Sequence, residues 1–147
     1  MQSWEAPAAG RVVFIRMDRG DDFLDTLQER LRHHGVRHGV VMSVVATLER
    51  CVLHQAQGTG MPIQEKQLVL DGPVEVMQIS GIVADGTPHL HASVADRDGR
   101  AYGGHLDPGS RVLYLAEVSI LETPAAQMAR RAVGGGLVQL VGTSSQA

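Results

Sequence analysis

The chain of 147 residues has one cysteine, Cys51, so it cannot form an internal disulfide. That suits a reducing compartment, and the expected location is the cytoplasm. The flanking Leu48, Val52 and Leu53 mark this thiol as a small buried hydrophobe, with only Arg50 as a nearby cation. Aromatic residues make up 3%, so the core has to be built from Val, Leu, Ile, Ala and Met. No apolar run approaches the roughly 18 residues a membrane span needs. The start, MQSWEAPAAGR, has neither a basic stretch nor an apolar one, and no signal peptide is expected. Positive charge is not in excess: the formal net charge is −3. A domain that grips phosphate backbones shows a basic face, so nucleic acid is not expected as a partner of this domain alone. A Walker motif, a G-x-G-x-x-G string and a G-x-S-x-G elbow are all missing, and Gly134-Gly135-Gly136 is too bare to cradle a phosphate.

What is present reads as a single domain of ordinary apolar content, large enough to bury roughly 70% of its unfolded surface. RVVFIRM, residues 11–17, is a β-branched strand. Gly20 and Asp21 then give a turn and a helix N-cap. Phe23, Leu24, Leu27 and Leu31 follow at helical spacing, with charged residues opposite, and predict one main helix over Asp21–His34, ended by Gly35. His33, His34 and His38 read as surface cations at the helix end, and His54 as exposed. Val40–Val45 and Thr47–Gln55 read as two strands forming a tight pair. Lys66–Leu70 and Val74–Val83 read as two more, separated by Asp71-Gly72-Pro73. A strand from Val112 through Leu121 carries Glu117 in its middle. Turns about every 8–12 residues beside one helix predict an α+β domain, a largely antiparallel sheet packed by that helix. Residues 1–10 form an extension and 11–123 the domain. Residues 124–147 form a weakly structured segment: a short helix over Ala125–Val133, an edge strand at LVQLVG and a disordered tail from Thr143.

The stretch TPHLHASVADRDGRAYGGHL, residues 87–106, carries the chemistry. Side chains alternate along a strand, so His89 and His91 share a face. Asp96-Arg97-Asp98-Gly99 supplies a hairpin turn, and the return strand brings His105 beside the pair. Gly103-Gly104 clears space next to it. Three converging neutral imidazoles make a metal site with an open position, suited to zinc, with Ni, Cu or Fe as other divalent occupants. The string from His89 to Asp96 superficially resembles the cupin metal motif, but strand parity points Asp96 away from the histidines. Glu75 and Glu117 interrupt apolar strands among Met77, Ile79, Leu113 and Leu115. Each is expected to be a partly buried carboxylate near the site, with Arg16 as a partner cation.

These residues carry a family resemblance. The string Gly72-Pro73-Val74-Glu75-Val76-Met77-Gln78-Ile79-Ser80-Gly81, then Pro88-His89-Leu90-His91-Ala92-Ser93, Asp96, Gly99, Gly103-Gly104-His105-Leu106 and Ala116-Glu117-Val118 resembles the plants-and-prokaryotes-conserved (PPC) domain. So does the opening from Arg16 to Asp22. The likeness covers roughly residues 10–123. It implies an α+β fold assembled as a homotrimer, with a metal held in some members by histidines matching His89, His91 and His105. Ser93, like Glu75, Glu117 and Arg16, is expected around the site or its pocket. A stand-alone protein with a small-molecule or metal-dependent role is the leading expectation. A DNA-associated regulatory or scaffold role is the alternative, because in plants the domain follows AT-hook motifs. This chain has no Arg-Gly-Arg-Pro AT-hook. Its Gly72–Met77 lacks the Arg and Phe of the plant G-R-F-E-I-L string, and Ser43-Val44-Val45-Ala46 stands where a glycine-rich segment is usual.

Overall fold

The computed structural model describes residues 10–143. Its strands are β1 (Val12–Asp18), β2 (Gly39–Ala56), β3 (Glu65–Ala84), β4 (Thr87–Ala95), β5 (Ala101–Leu106), β6 (Arg111–Glu122), β7 (Met128–Gly134) and β8 (Leu137–Gly142). The helix α1 (Phe23–His33) lies between β1 and β2. Six strands form one antiparallel sheet in the order β1-β6-β2-β3-β4-β5, and β5 also pairs back onto β2 through Leu53–Leu106 and His54–His105. The second half of β2 with β3, β4 and β5 thus closes into a ring, while β1 and β6 extend the sheet from the first half of β2. This is the expected α+β arrangement of a largely antiparallel sheet and one helix.

The N-cap of α1 is Asp22 rather than Asp21. The Asp22 Oδ1 accepts from the Leu24 and Asp25 amides, both at 3.1 Å, and satisfies two of the orphan donors of the first turn. The Asp21 carboxylate turns back instead and accepts from the Asp18 amide. Phe23, Leu27 and Leu31 are fully buried, each contributing roughly 1.5–3 kcal/mol. Cys51 is buried with them, and loss of hydration pushes its thiol up to about 11.

Two strand boundaries expected from the sequence are absent. Val40–Val45 and Thr47–Gln55 belong to one 18-residue strand, and β3 runs through Asp71-Gly72-Pro73. The registers of β2 against β3 and β6 shift between Leu48 and Arg50. A side chain on Gly72 would collide with the Leu48 carbonyl at that irregularity. Gly72 and Pro73 therefore mark a bulge that bends a continuous strand, not a turn that ends one. Bends of this kind let two long strands curl far enough for β5 to reach β2.

Residues 128–142 form a separate two-stranded hairpin, β7–β8, where a short helix over Ala125–Val133 was expected. Polar Arg130 and Arg131 there pair with Leu140 and Gln139 across the strands. Residues 1–9 of the expected extension and 144–147 of the expected tail lie outside the described residues. Among the described residues, no helix is long and apolar enough to cross a membrane.

Candidate metal centre

Leu90, Ala92 and Val94 of β4 point into the core, so His89, His91 and Ser93 take the opposite face. The turn that returns the chain is held by Asp96. Its Oδ1 accepts from the Asp98 and Arg100 amides at 2.9 Å, and its Oδ2 accepts from the Tyr102 hydroxyl at 3.0 Å. Gly99, at φ +78°, completes the turn. Asp96 is thus consumed by the hairpin, as its parity requires.

His105 on β5 pairs with His91 of β4 on one side and with His54 of β2 on the other. Three imidazoles therefore form one row across three strands, and His89 lies two residues along β4. Ring centroids are 4.6 Å apart for His89 and His105, 5.4 Å for His91 and His105, and 5.4 Å for His89 and His91. One ring nitrogen from each of the three can lie within 4.8 Å of the others. Burial, more than any charge, pulls His89 down to about 4, with Arg130 and the neighbouring imidazoles adding to the effect. Burial also lowers His105, with His54 next in size. Neutral imidazole is the form that coordinates a metal ion. The donor set, three nitrogens on a rigid sheet with no thiol, fits a divalent transition metal.

His54 was expected to be exposed, yet its side chain is only 26% exposed. It stacks on His105 with centroids 4.5 Å apart. Its Nδ1 faces the Asp107 carboxylate at 2.8 Å, and its Nε2 lies 3.5 Å from Glu65. Sequence reading missed it because β2 appeared to end near Gln55 with no partner. The signal was the match of an isolated strand histidine to the one after the glycine pair. His38 also departs from its expected surface place: it is 6% exposed, and its Nδ1 accepts from the Asp85 amide.

The remaining predicted residues are not all brought to the cluster. Ser93 lines a shallow recess with His91, Ser80 and Gln78. Glu75 shares that outer face but pairs with Ala95, four residues beyond His91, and its carboxylate accepts from the Thr47 hydroxyl at 3.2 Å. It is exposed rather than half-buried. The register slip between Val76 and Gln78 sends Ile79 into the core and leaves Met77 68% exposed, so the apolar neighbours of Glu75 do not bury it. Glu117 is likewise exposed, on β6, which pairs with β1 and the first half of β2, away from the imidazoles. Arg16 sits opposite it across β1 and β6, and its nearest carboxylate is Asp18 at 3.2 Å. Arg16 and Glu117 line a separate concavity of about 500 Å³ with Phe14, Ser43 and Val45.

A cavity of about 760 Å³ opens over the imidazole row. Its floor is His54, His89, His91 and His105, and the β7–β8 hairpin forms the opposite wall with Arg130, Leu137 and Val138. The chain is thus a small, largely antiparallel β domain with a histidine cluster on the outer face of a closed ring. The sequence pattern of the Plants and Prokaryotes Conserved (PCC) domain, the family called PPC above, matches residues 5–124, and the chain belongs to that family. A Synechococcus protein named bifunctional protein GlmU is 29% identical over 125 residues, which cover 85% of this chain and 19% of that one. The chain thus spans about a fifth of the length of that curated relative. A Salmonella hypothetical protein of solved structure superposes with TM-score 0.80 at 26% identity, covering 95% of this chain and 98% of the other. A protein from Archaeoglobus fulgidus described as metal-containing superposes with TM-score 0.75 at 24% identity, covering 96% and 99%. A neighbour from Ralstonia eutropha, provisionally named a DNA-binding protein, gives TM-score 0.72 at 18% identity over 87% and 89%.

Proposed function

We propose that this chain is a metal-binding member of the PCC family, with His89, His91 and His105 as ligands of a divalent transition metal ion, zinc foremost, and a small molecule as the occupant of the cavity above. The observation that carries this reading is the convergence of three imidazoles from two strands at ring separations of 4.6–5.4 Å. A bound ion would supply Lewis acidity at an open coordination position. The residues present would do the rest: β4 and β5 fix the ligand rings, Asp107 orients His54 against His105, and β7–β8 walls one side of the cavity. The metal-containing neighbour supports the reading by fold. Metal analysis of untagged protein tests it: about one ion per chain is expected, falling to background in a His89→Ala/His91→Ala variant. A metal-free preparation that also fails to take up zinc on dialysis would sink it.

A homotrimer is part of the same proposal. Val12, Phe14, Met42, Val45 and Met77 stand on the outward face of β1, β2 and β3, and Phe14, one of two phenylalanines in the chain, is 79% exposed. Apolar side chains gathered on one sheet face favour cover by further copies of the chain. The second reading, DNA association, draws on the provisional name of the Ralstonia eutropha neighbour and is opposed by the net charge of −3. Salt-dependent retention on duplex DNA separates the two, because phosphate contacts weaken as salt rises.

A further inference from the structure

Arg130 is the one cation in the wall of the imidazole cavity, and it has no carboxylate or hydrogen-bonding partner among the described residues. Its Nε is buried and unpaired. The one carboxylate lining the cavity, Glu65, lies toward the His54 Nε2, and behind it Asp107 holds the His54 Nδ1. The Arg130 guanidinium and the His89 imidazole line the same cavity. Burying part of a guanidinium without a counter-charge is unfavourable, and an anion beside it would offset that cost. The fork also presents parallel N–H donors, the geometry that matches a carboxylate.

We propose that Arg130 is the anion anchor of this cavity and that its ligand is a small carboxylate with an apolar body, the carboxylate paired with the guanidinium and the body lying against Ile63, Pro88, Leu137 and Val138 beside the imidazoles. This deepens the small-molecule reading given above and rests on it. The class is chosen by the walls. The cavity is lined mainly by strands whose amides are committed to ladders, no helix N-terminus faces it, and a single guanidinium is its only cationic donor. Phosphate is usually held by several donors or a helix N-terminus, whereas one fork suffices for a carboxylate. The apolar flank made by Ile63, Leu137 and Val138 gives a hydrocarbon body somewhere to be buried.

The test uses the full chain loaded with cobalt(II), whose visible absorption reports both metal uptake and changes around the ion, alongside calorimetric titration of the same protein. The probe is isobutyrate, with isobutyramide as its uncharged isostere and inorganic phosphate as the competing anion. Isobutyrate is expected to bind, isobutyramide to bind at least tenfold more weakly, and phosphate more weakly than isobutyrate. Arg130→Gln should weaken isobutyrate by roughly 10- to 100-fold while leaving cobalt uptake unchanged, as expected for loss of a charge-assisted pair. Arg130→Lys keeps the charge without the fork and should recover part of the loss. Equal isobutyrate affinity in wild type and Arg130→Gln, or phosphate binding more tightly than isobutyrate, would overturn the assignment while leaving the metal reading intact. If cobalt is not taken up yet calorimetry still shows Arg130-dependent isobutyrate binding, the metal reading fails and the anion anchor stands.

Discussion

Removing His105 separates the metal reading from a purely structural one. This ring is the hub of the cluster, 4.5 Å from His54, 4.6 Å from His89 and 5.4 Å from His91 between centroids. It stands on the outer face and is no part of the buried apolar core. His105→Ala should therefore lower the melting temperature of metal-free protein only slightly. In wild type, zinc at about 100 times its dissociation constant stabilises the native state by roughly 2.7 kcal/mol. For a chain of this size each kcal/mol moves Tm by roughly 2–4 °C, so the zinc-induced rise should be about 5–11 °C. If the variant binds about 100-fold more weakly, the same zinc concentration only equals its dissociation constant. The stabilisation then shrinks to roughly 0.4 kcal/mol, or about 1 °C. The assay is thermal unfolding with and without zinc, with His33→Ala, an exposed helix-end histidine, as the control that keeps the full rise. A variant at His105 that keeps the whole shift, or a wild type that shows none, refutes the assignment of these imidazoles.

Gly104→Ala should loosen the junction between β5 and β2, because the added Cβ would sit 2.6 Å from the His54 carbonyl oxygen. A loss of roughly 1–3 kcal/mol and weaker metal uptake are expected in denaturant and metal titrations, and an unchanged midpoint would contradict the close approach. Cys51 should resist iodoacetamide at pH 8 in the native protein and react fully in denaturant. Burial raises its folded-state value to about 11, so the fold favours the protonated thiol. That contribution to stability is complete below the ordinary thiol value and is lost as pH climbs toward 11. Fast native-state labelling would show the site to be open. Phe14→Glu should shift the mass measured by light scattering from trimer to monomer without unfolding the chain, and a trimer that survives would place the interface elsewhere.

The helix and the β4–β5 hairpin were legible because their signals are local: apolar spacing from Phe23 to Leu31, and His-x-His with an Asp-Gly turn. Asp71-Gly72-Pro73 misled for the same reason. A short-range reading sees a turn, whereas the bulge is set by the approach of Leu48 from another strand. Glu75 was misplaced by the parity break two residues later, and parity is invisible once a register shifts. His54 and Arg130 escaped notice because their roles depend on ring closure and on a hairpin folding over the sheet. Both bring together residues far apart in the chain.

That closure has one more consequence. β5 meets β2 through only two residue pairs, Leu53–Leu106 and His54–His105, and the second is the middle of the imidazole row. The ring is thus seamed at its binding site. Opening the seam would part His54 from His105 while leaving His89, His91 and His105 together on β4 and β5, so only a ligand that also reaches His54 would hold the seam shut. For a ligand that touches both His54 and His105, binding and ring closure are linked, so protection of the β5 amides from hydrogen exchange would report its occupancy without reference to what the site does.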